Sequence, residues 1–172
     1  MMWAGVPPSP QKSQYAAIRS SAAFPGWADT ADPTVDSARA EFEAGRFWHS
    51  SEMLREHAAG GVVLTPSEVL LLARADAGWK NWAAVLAGLE GADWLDGIEG
   101  GGGRLLVARA LQAAERWDEA AEQYARFRSI GALASEIPWA ASREAQVAAR
   151  AGLWGPMLTA LDAAGRGSPE LS

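Results

Sequence analysis

The stretch RLLVARALQAAERWDEAAEQYARFRS, residues 104–129, decides the fold. It reads as two helical arms around a turn at Glu115 and Arg116, with no proline or glycine inside either arm. Glu115, Asp118 and Glu119 lie near the start of the second arm, where negative charge suits the positive end of the helix dipole. Outward from here the same design recurs. The turns AGRF (44–47), AGWKNW (77–82), AERW (114–117) and AGLW (151–154) bring Phe47, Trp82, Trp117 and Trp154 into register at spacings of 35, 35 and 37 residues.

Three and seven residues beyond these aromatics stand Ser50 and Leu54, Val85 and Leu89, Ala120 and Tyr124, and Met157 and Leu161. In the first three pairs a small or modest residue precedes a large one on the same helical face, which lets the paired helix approach closely while the large side chain fills the wedge beside it. The helices are expected from Asp36 to about Ala44, to about Ala59, from Pro66 to Gly78, over WAAVLAGLEGA (82–92), then 104–115, 118–129, about 138–151 and 155–164. Thr65, Pro66 and Glu68 spell a capping box with proline at the first helical position, so a helix should start at Pro66. Asp96 to Gly103, with four consecutive glycines, is expected as a non-helical loop.

A two-helix period near 34 residues with these roles resembles the tetratricopeptide family over about residues 34–165. The third pair carries the likeness best, with Ala108, Trp117, Ala120 and Tyr124 in the family's small, aromatic, small and aromatic places. The resemblance implies an all-α fold: a tetratricopeptide-like right-handed superhelix of about four antiparallel helical hairpins. PSEVLLLARADAGWKNWAAVLAGLEGADWLD followed by GRLLVARALQAAERWDEAAEQYARFRSIG also looks like the noncatalytic helical solenoid that precedes the catalytic domain of some bacterial lytic transglycosylases. That likeness implies a scaffold without its enzyme, and an exported ancestor. On either side of the repeat region, residues 1–33 hold five of the nine prolines and read as an extended or disordered leader, and residues 166–172 as a flexible tail.

Composition narrows the chemistry. The 172 residues carry a net charge of −6 and no cysteine, which removes disulfides, thiolate catalysis and Cys-ligated metals. Fifteen Lys and Arg spread against 21 Asp and Glu form no basic stripe, so nucleic acid is not an expected partner. No apolar run reaches membrane-spanning length, and the proline-broken start is not a secretory signal, so the literal reading is cytoplasmic; the transglycosylase likeness with an incomplete N-terminus would make it periplasmic.

No catalytic, cofactor-binding or metal-binding residue is assigned. His49 and His57 sit eight apart on one expected helix without a metal motif. GIEGGGGR (97–104) lacks the Lys and Ser/Thr of a phosphate loop and follows no strand. What remains is surface recognition. On first-helix positions expected to line a concave, mixed-sign groove lie Arg39, Glu43, Asp76, Arg109, Gln112, Trp139, Gln146 and Arg150; Trp3 and Trp27 in the leader join them as candidate partner contacts. Trp82, Trp117 and Trp154 are assigned to the core by their period, while Trp48, Trp79, Trp94 and Trp139 fall outside it and either seal helix ends or anchor an interface. The expected function is a noncatalytic protein-interaction or scaffold subunit, stabilising a larger, membrane-associated assembly through the helical surface and leader. The alternative is an accessory helical domain of a peptidoglycan-lytic enzyme.

Overall fold

Residues 32–130 and 135–166 are described by a computed structural model. Across them run eight α-helices: α1 (Pro33–Glu43), α2 (Phe47–Ala59), α3 (Pro66–Gly78), α4 (Trp82–Leu89), α5 (Gly102–Ala113), α6 (Trp117–Ile130), α7 (Ile137–Arg150) and α8 (Trp154–Arg166), and no strand occurs among the described residues. Two short 3₁₀ turns, Asp93–Asp96 and Glu99–Gly101, bridge α4 to α5. Each helix packs chiefly on its chain neighbours, with second-neighbour contacts from α1 to α3 and from α3 to α5. Trp3, Trp27 and the remainder of the expected leader up to residue 31, like the tail after Arg166, lie outside the described residues.

Local chemistry sets the helix starts. Asp32 accepts a hydrogen bond from the Thr34 amide at 2.8 Å with Pro33 at the first position, so α1 begins just inside the expected leader. At α3 the Thr65 amide donates to Glu68 Oε2 at 2.7 Å and the Glu68 amide to Thr65 Oγ1 at 3.4 Å, the reciprocal arrangement its sequence specifies.

The ends of α1, α3, α5 and α7 close alike. The amide of Arg46 donates to the Glu41 carbonyl at 2.9 Å, Asn81 to Asp76 at 2.9 Å, Arg116 to Leu111 at 3.0 Å and Leu153 to Ala148 at 2.8 Å. The residue before each donor is left-handed: Gly45 (φ 76°), Lys80 (67°), Glu115 (59°) and Gly152 (72°). A left-handed residue at this point reverses the chain and satisfies carbonyls that the helix end leaves open. Each closure delivers Phe47, Trp82, Trp117 or Trp154 as the first residue of the next helix.

The core follows the expected register in three pairs and not in the fourth. Ser50, Leu54, Val85, Leu89, Ala120 and Tyr124 are all fully buried, whereas Met157 is partly covered and Leu161 is half exposed. Trp154 is corrected from core to surface at 65% exposure. The reason is positional: Trp82 and Trp117 pack against the core, where α5 and α7 supply neighbours, while no described helix follows α8 to cover Trp154.

Two helix expectations also change. α4 stops at Leu89, because Glu90 turns extended and Gly91 is left-handed (φ 78°). The glycine run is not wholly a loop, since Gly102 and Gly103 form the first turn of α5. A Cβ on Gly103 would stand 2.5 Å from Leu95 Cδ2, so a bare backbone is what lets α5 settle on the buried Leu95.

Ion pairs tie the array together. Asp96 receives Arg104 Nε at 2.6 Å and Arg126 Nη2 at 2.5 Å, and Glu144 on α7 holds Arg128 on α6 through two contacts at 2.6 and 3.0 Å. Arg104 first, then Arg126, hold the Asp96 carboxyl below its usual range.

Candidate functional site: an arginine and tryptophan cleft

Where α4 to α7 meet, a cleft of about 310 Å³ is walled by Trp82, Trp117, Tyr124, Trp139 and three arginines. Each arginine lies over an indole. Arg109 Cζ is 5.3 Å from the Trp82 ring centroid, Arg143 5.5 Å from Trp139, and Arg150 4.8 Å from Trp117. Stacking holds a guanidinium over the ring face and leaves its in-plane N–H groups directed outward.

Helix spacing and the repeated turn build this arrangement. Trp82 and Trp117 occupy the first positions of α4 and α6, and Arg109 and Arg150 lie on α5 and α7, the helices that follow. Trp139 and Arg143 are four apart on α7, hence on one face. At the base Tyr124 is fully buried, meets Trp139 edge to face at 6.2 Å and donates its hydroxyl to Gln112 Oε1 at 3.2 Å. Burial pushes the Tyr124 phenol up to about 12, against the opposing pull of Arg109 and Arg143, so it is neutral at physiological pH.

The charge of the lining is one-sided. Arg109, Arg143 and Arg150 form no ion pair among the described residues, whereas Arg46, Arg55, Arg74, Arg104, Arg116, Arg126 and Arg128 each face a carboxylate. No acid lines the cleft, and its one carbonyl acceptor on a side chain, Gln112 Oε1, already receives the Tyr124 proton. An adjoining groove of about 440 Å³ shares Arg109 and Trp139 and adds Arg74, Leu105, Leu106 and Glu136.

Four of the sequence-predicted residues, Arg109, Gln112, Trp139 and Arg150, are brought together here. Gln146 is exposed nearby on α7 and accepts a hydrogen bond from Arg143 Nη1 at 3.2 Å. Arg39 and Glu43 are exposed on α1, which contributes nothing to this cleft. Asp76 is corrected: it is fully buried and ion-paired with Arg55, so it does not face a partner. Burial pushes its carboxyl up despite the opposing Arg55 charge. The expected mixed-sign groove becomes a cationic cleft because Asp76 points into the core and Glu43 lies on another helix.

Arg143 and Tyr124 join the cleft beyond the predicted site residues, and Trp82 and Trp117, expected in the core, line it as well. The signal for Arg143 was its place one turn beyond Trp139; Trp82 and Trp117 serve both core and cleft. Of the off-register indoles, Trp94 packs on the core, while Trp48, Trp79 and Trp139 are exposed. Trp48 and Trp79 flank a separate apolar hollow with Phe47 and His49. His49 Nδ1 lies 3.0 Å from Glu41 Oε2 and His57 Nε2 3.2 Å from Asp32 Oδ2, each on its own carboxylate. Among the described residues no group of three or more His, Asp or Glu is placed to hold a metal ion, and no helix is long and apolar enough to cross a membrane. No family model, curated protein or solved structure matches the chain.

Proposed function

We propose that the chain is a noncatalytic protein-interaction or scaffold module, built as a tetratricopeptide-like superhelix of about four hairpins. The cleft between α4 and α7 receives a segment of a partner protein in a larger assembly. The recurrence of one closing turn at Gly45, Lys80, Glu115 and Gly152 supports the repeat reading. The functional reading is carried by a single observation: three arginines without carboxylate partners, stacked on three tryptophans around one ligand-sized cleft. Tryptophan and arginine are the side chains that most often anchor protein interfaces. Glu41, Asp76, Asp96, Glu119 and Glu144 each face an arginine, an arrangement that serves the fold.

Site-specific photo-cross-linking in the native source tests this. A photoreactive residue replacing Gln146, at the cleft's edge, should capture a defined partner identifiable by mass spectrometry. Capture should be lost on Trp139→Ala and kept on Trp48→Ala. Capture indifferent to both substitutions, or recovery of this chain alone, counts against the proposal.

A further inference from the structure

We infer that the cleft is an anion receptor for an acidic polypeptide segment, whose carboxylates sit against Arg109, Arg143 and Arg150; this rests on the interaction-module reading above. Seven other described arginines satisfy their guanidinium groups with carboxylates of this chain. Of the four others with described side chains, Arg39 stands apart, exposed on α1, and the remaining three are gathered in one place and held by indole faces rather than by acids. A protein with six more acids than bases has concentrated unneutralised cations where donors dominate and the carbonyl acceptor is taken. Such a surface is complementary to groups that accept hydrogen bonds and carry negative charge, and a stacked guanidinium offers two parallel N–H donors to a carboxylate.

The adjoining groove favours a chain over a small ion. It continues from the cleft through Arg109 and Trp139 across Leu105 and Leu106, so a ligand extending past the arginines meets apolar ground. Glu136 lines that second groove, confining the anion preference to the cleft itself. A phosphate polymer needs a long basic track, and the net charge of −6 opposes it.

Tryptophan fluorescence of the full chain, titrated at low salt, tests the inference. The probes are a short capped glutamate-rich peptide ending in leucine, its glutamine counterpart, inorganic phosphate alone and a thymidine oligonucleotide. The acidic peptide should bind at least about tenfold more tightly than the glutamine peptide and weaken as salt screens the charges. Arg109→Gln, Arg143→Gln and Arg150→Gln should each weaken it by about tenfold, with Arg39→Gln neutral. Melting curves accompany each variant; where one is destabilised, the salt titration of the unaltered chain reads the same charge dependence. Equal binding of the glutamine peptide, or indifference to all three substitutions, overturns the inference, as does phosphate or oligonucleotide binding as tight as the acidic peptide. If the cleft cross-linker still captures a partner while the acidic peptide is refused, the inference falls and the interaction module stands. If neither occurs, that broader reading falls as well.

Discussion

Phe47, the first residue of α2, rests on the bare backbone of Gly78 at the end of α3, where an added Cβ would lie 2.3 Å from the ring's Cγ. Two effects oppose each other at Gly78. Alanine gains up to about 1 kcal/mol in helix propensity, and less so near close to a helix end. Overpacking costs about 1 to 3 kcal/mol, and here the obstacle is the root of a ring rather than a movable tip. Gly78→Ala should therefore destabilise by about 1 to 2 kcal/mol in urea melts. In a Phe47→Ala background the same change should be neutral or favourable, so a double-mutant cycle exposes the contact. Additive effects would show that the ring does not press on Gly78.

The four turns make opposite forecasts for glycine. Lys80 and Glu115 hold left-handed backbone that Gly45 and Gly152 adopt at the equivalent points. A side chain there costs about 1 to 2 kcal/mol, partly offset by the larger unfolded-state freedom that glycine brings. Lys80→Gly and Glu115→Gly should each stabilise by about 0.5 to 1 kcal/mol. Gly45→Ala and Gly152→Ala, with nothing within 4 Å of an added Cβ, should lose about 1 kcal/mol from backbone strain alone. Thermal melts of the four variants should separate into these two groups; a common sign would contradict the turn geometry.

Asp76 and Asp96 should respond to acid in opposite senses. Burial raises the Asp76 carboxyl above its ordinary 3.8, so between that value and the raised one the native state holds more protons than the unfolded state. Its contribution to stability is therefore fully present below the ordinary value and lost as pH rises through the raised one. The stability deficit of Asp76→Asn should widen as pH falls from about 7 to about 4. Asp96, held low by Arg104 and Arg126, stabilises above its ordinary value, and this is lost as pH falls through its native one. The deficit of Asp96→Asn should narrow toward about pH 3. Asp76→Ala, which opens a fully buried site and removes one of the two carboxylates on Arg55 while Glu52 keeps the other, should cost about 2 kcal/mol. Denaturant melts across this range check all three, and parallel pH profiles for the two Asn variants would be the wrong result.

The closing turns and the first three core pairs were legible because they depend on chain-local rules: a register of about 35 residues, a capping box, and a small residue followed by a large one. The cleft was legible only in part. Arg109, Gln112, Trp139 and Arg150 share an outward helical face, and periodicity finds faces. It does not find depth: a pattern that sets Asp76 on a groove is silent about the core around it and about Arg55 reaching across from α2 to pair with it. Nor does it show that an indole such as Trp117 can cover the core with one side and carry Arg150 on the other. Gly102 and Gly103 depart from the expected loop for a related reason. Propensity disfavours glycine in a helix, but the approach of Leu95 to Gly103 is a tertiary demand that propensity does not contain.

Tyr124 links the stability of the fold to the state of the cleft. Its phenol is fully buried beneath Trp139, donates to Gln112 and is raised by burial to about 12 from an ordinary 10.0. A raised native value means that the Tyr124 contribution is complete below pH 10.0 and is lost as pH climbs to about 12. A shift of this size corresponds to about 3 kcal/mol, a large share of a small domain's stability. The chain should therefore lose helix and melt at lower denaturant over this alkaline interval. Tyr124→Phe should be weaker by about 1 kcal/mol at neutral pH, where only the hydroxyl's hydrogen bond is removed, yet should resist the alkaline loss. Because that hydrogen bond also occupies Gln112 Oε1, the phenylalanine variant frees an acceptor in an otherwise donor-rich cleft. Its affinity for an acidic peptide should fall modestly while its helix content at neutral pH is unchanged. Circular dichroism against pH, read beside ultraviolet titration of the phenol, separates these effects; identical alkaline transitions in the two proteins would remove Tyr124 from the account.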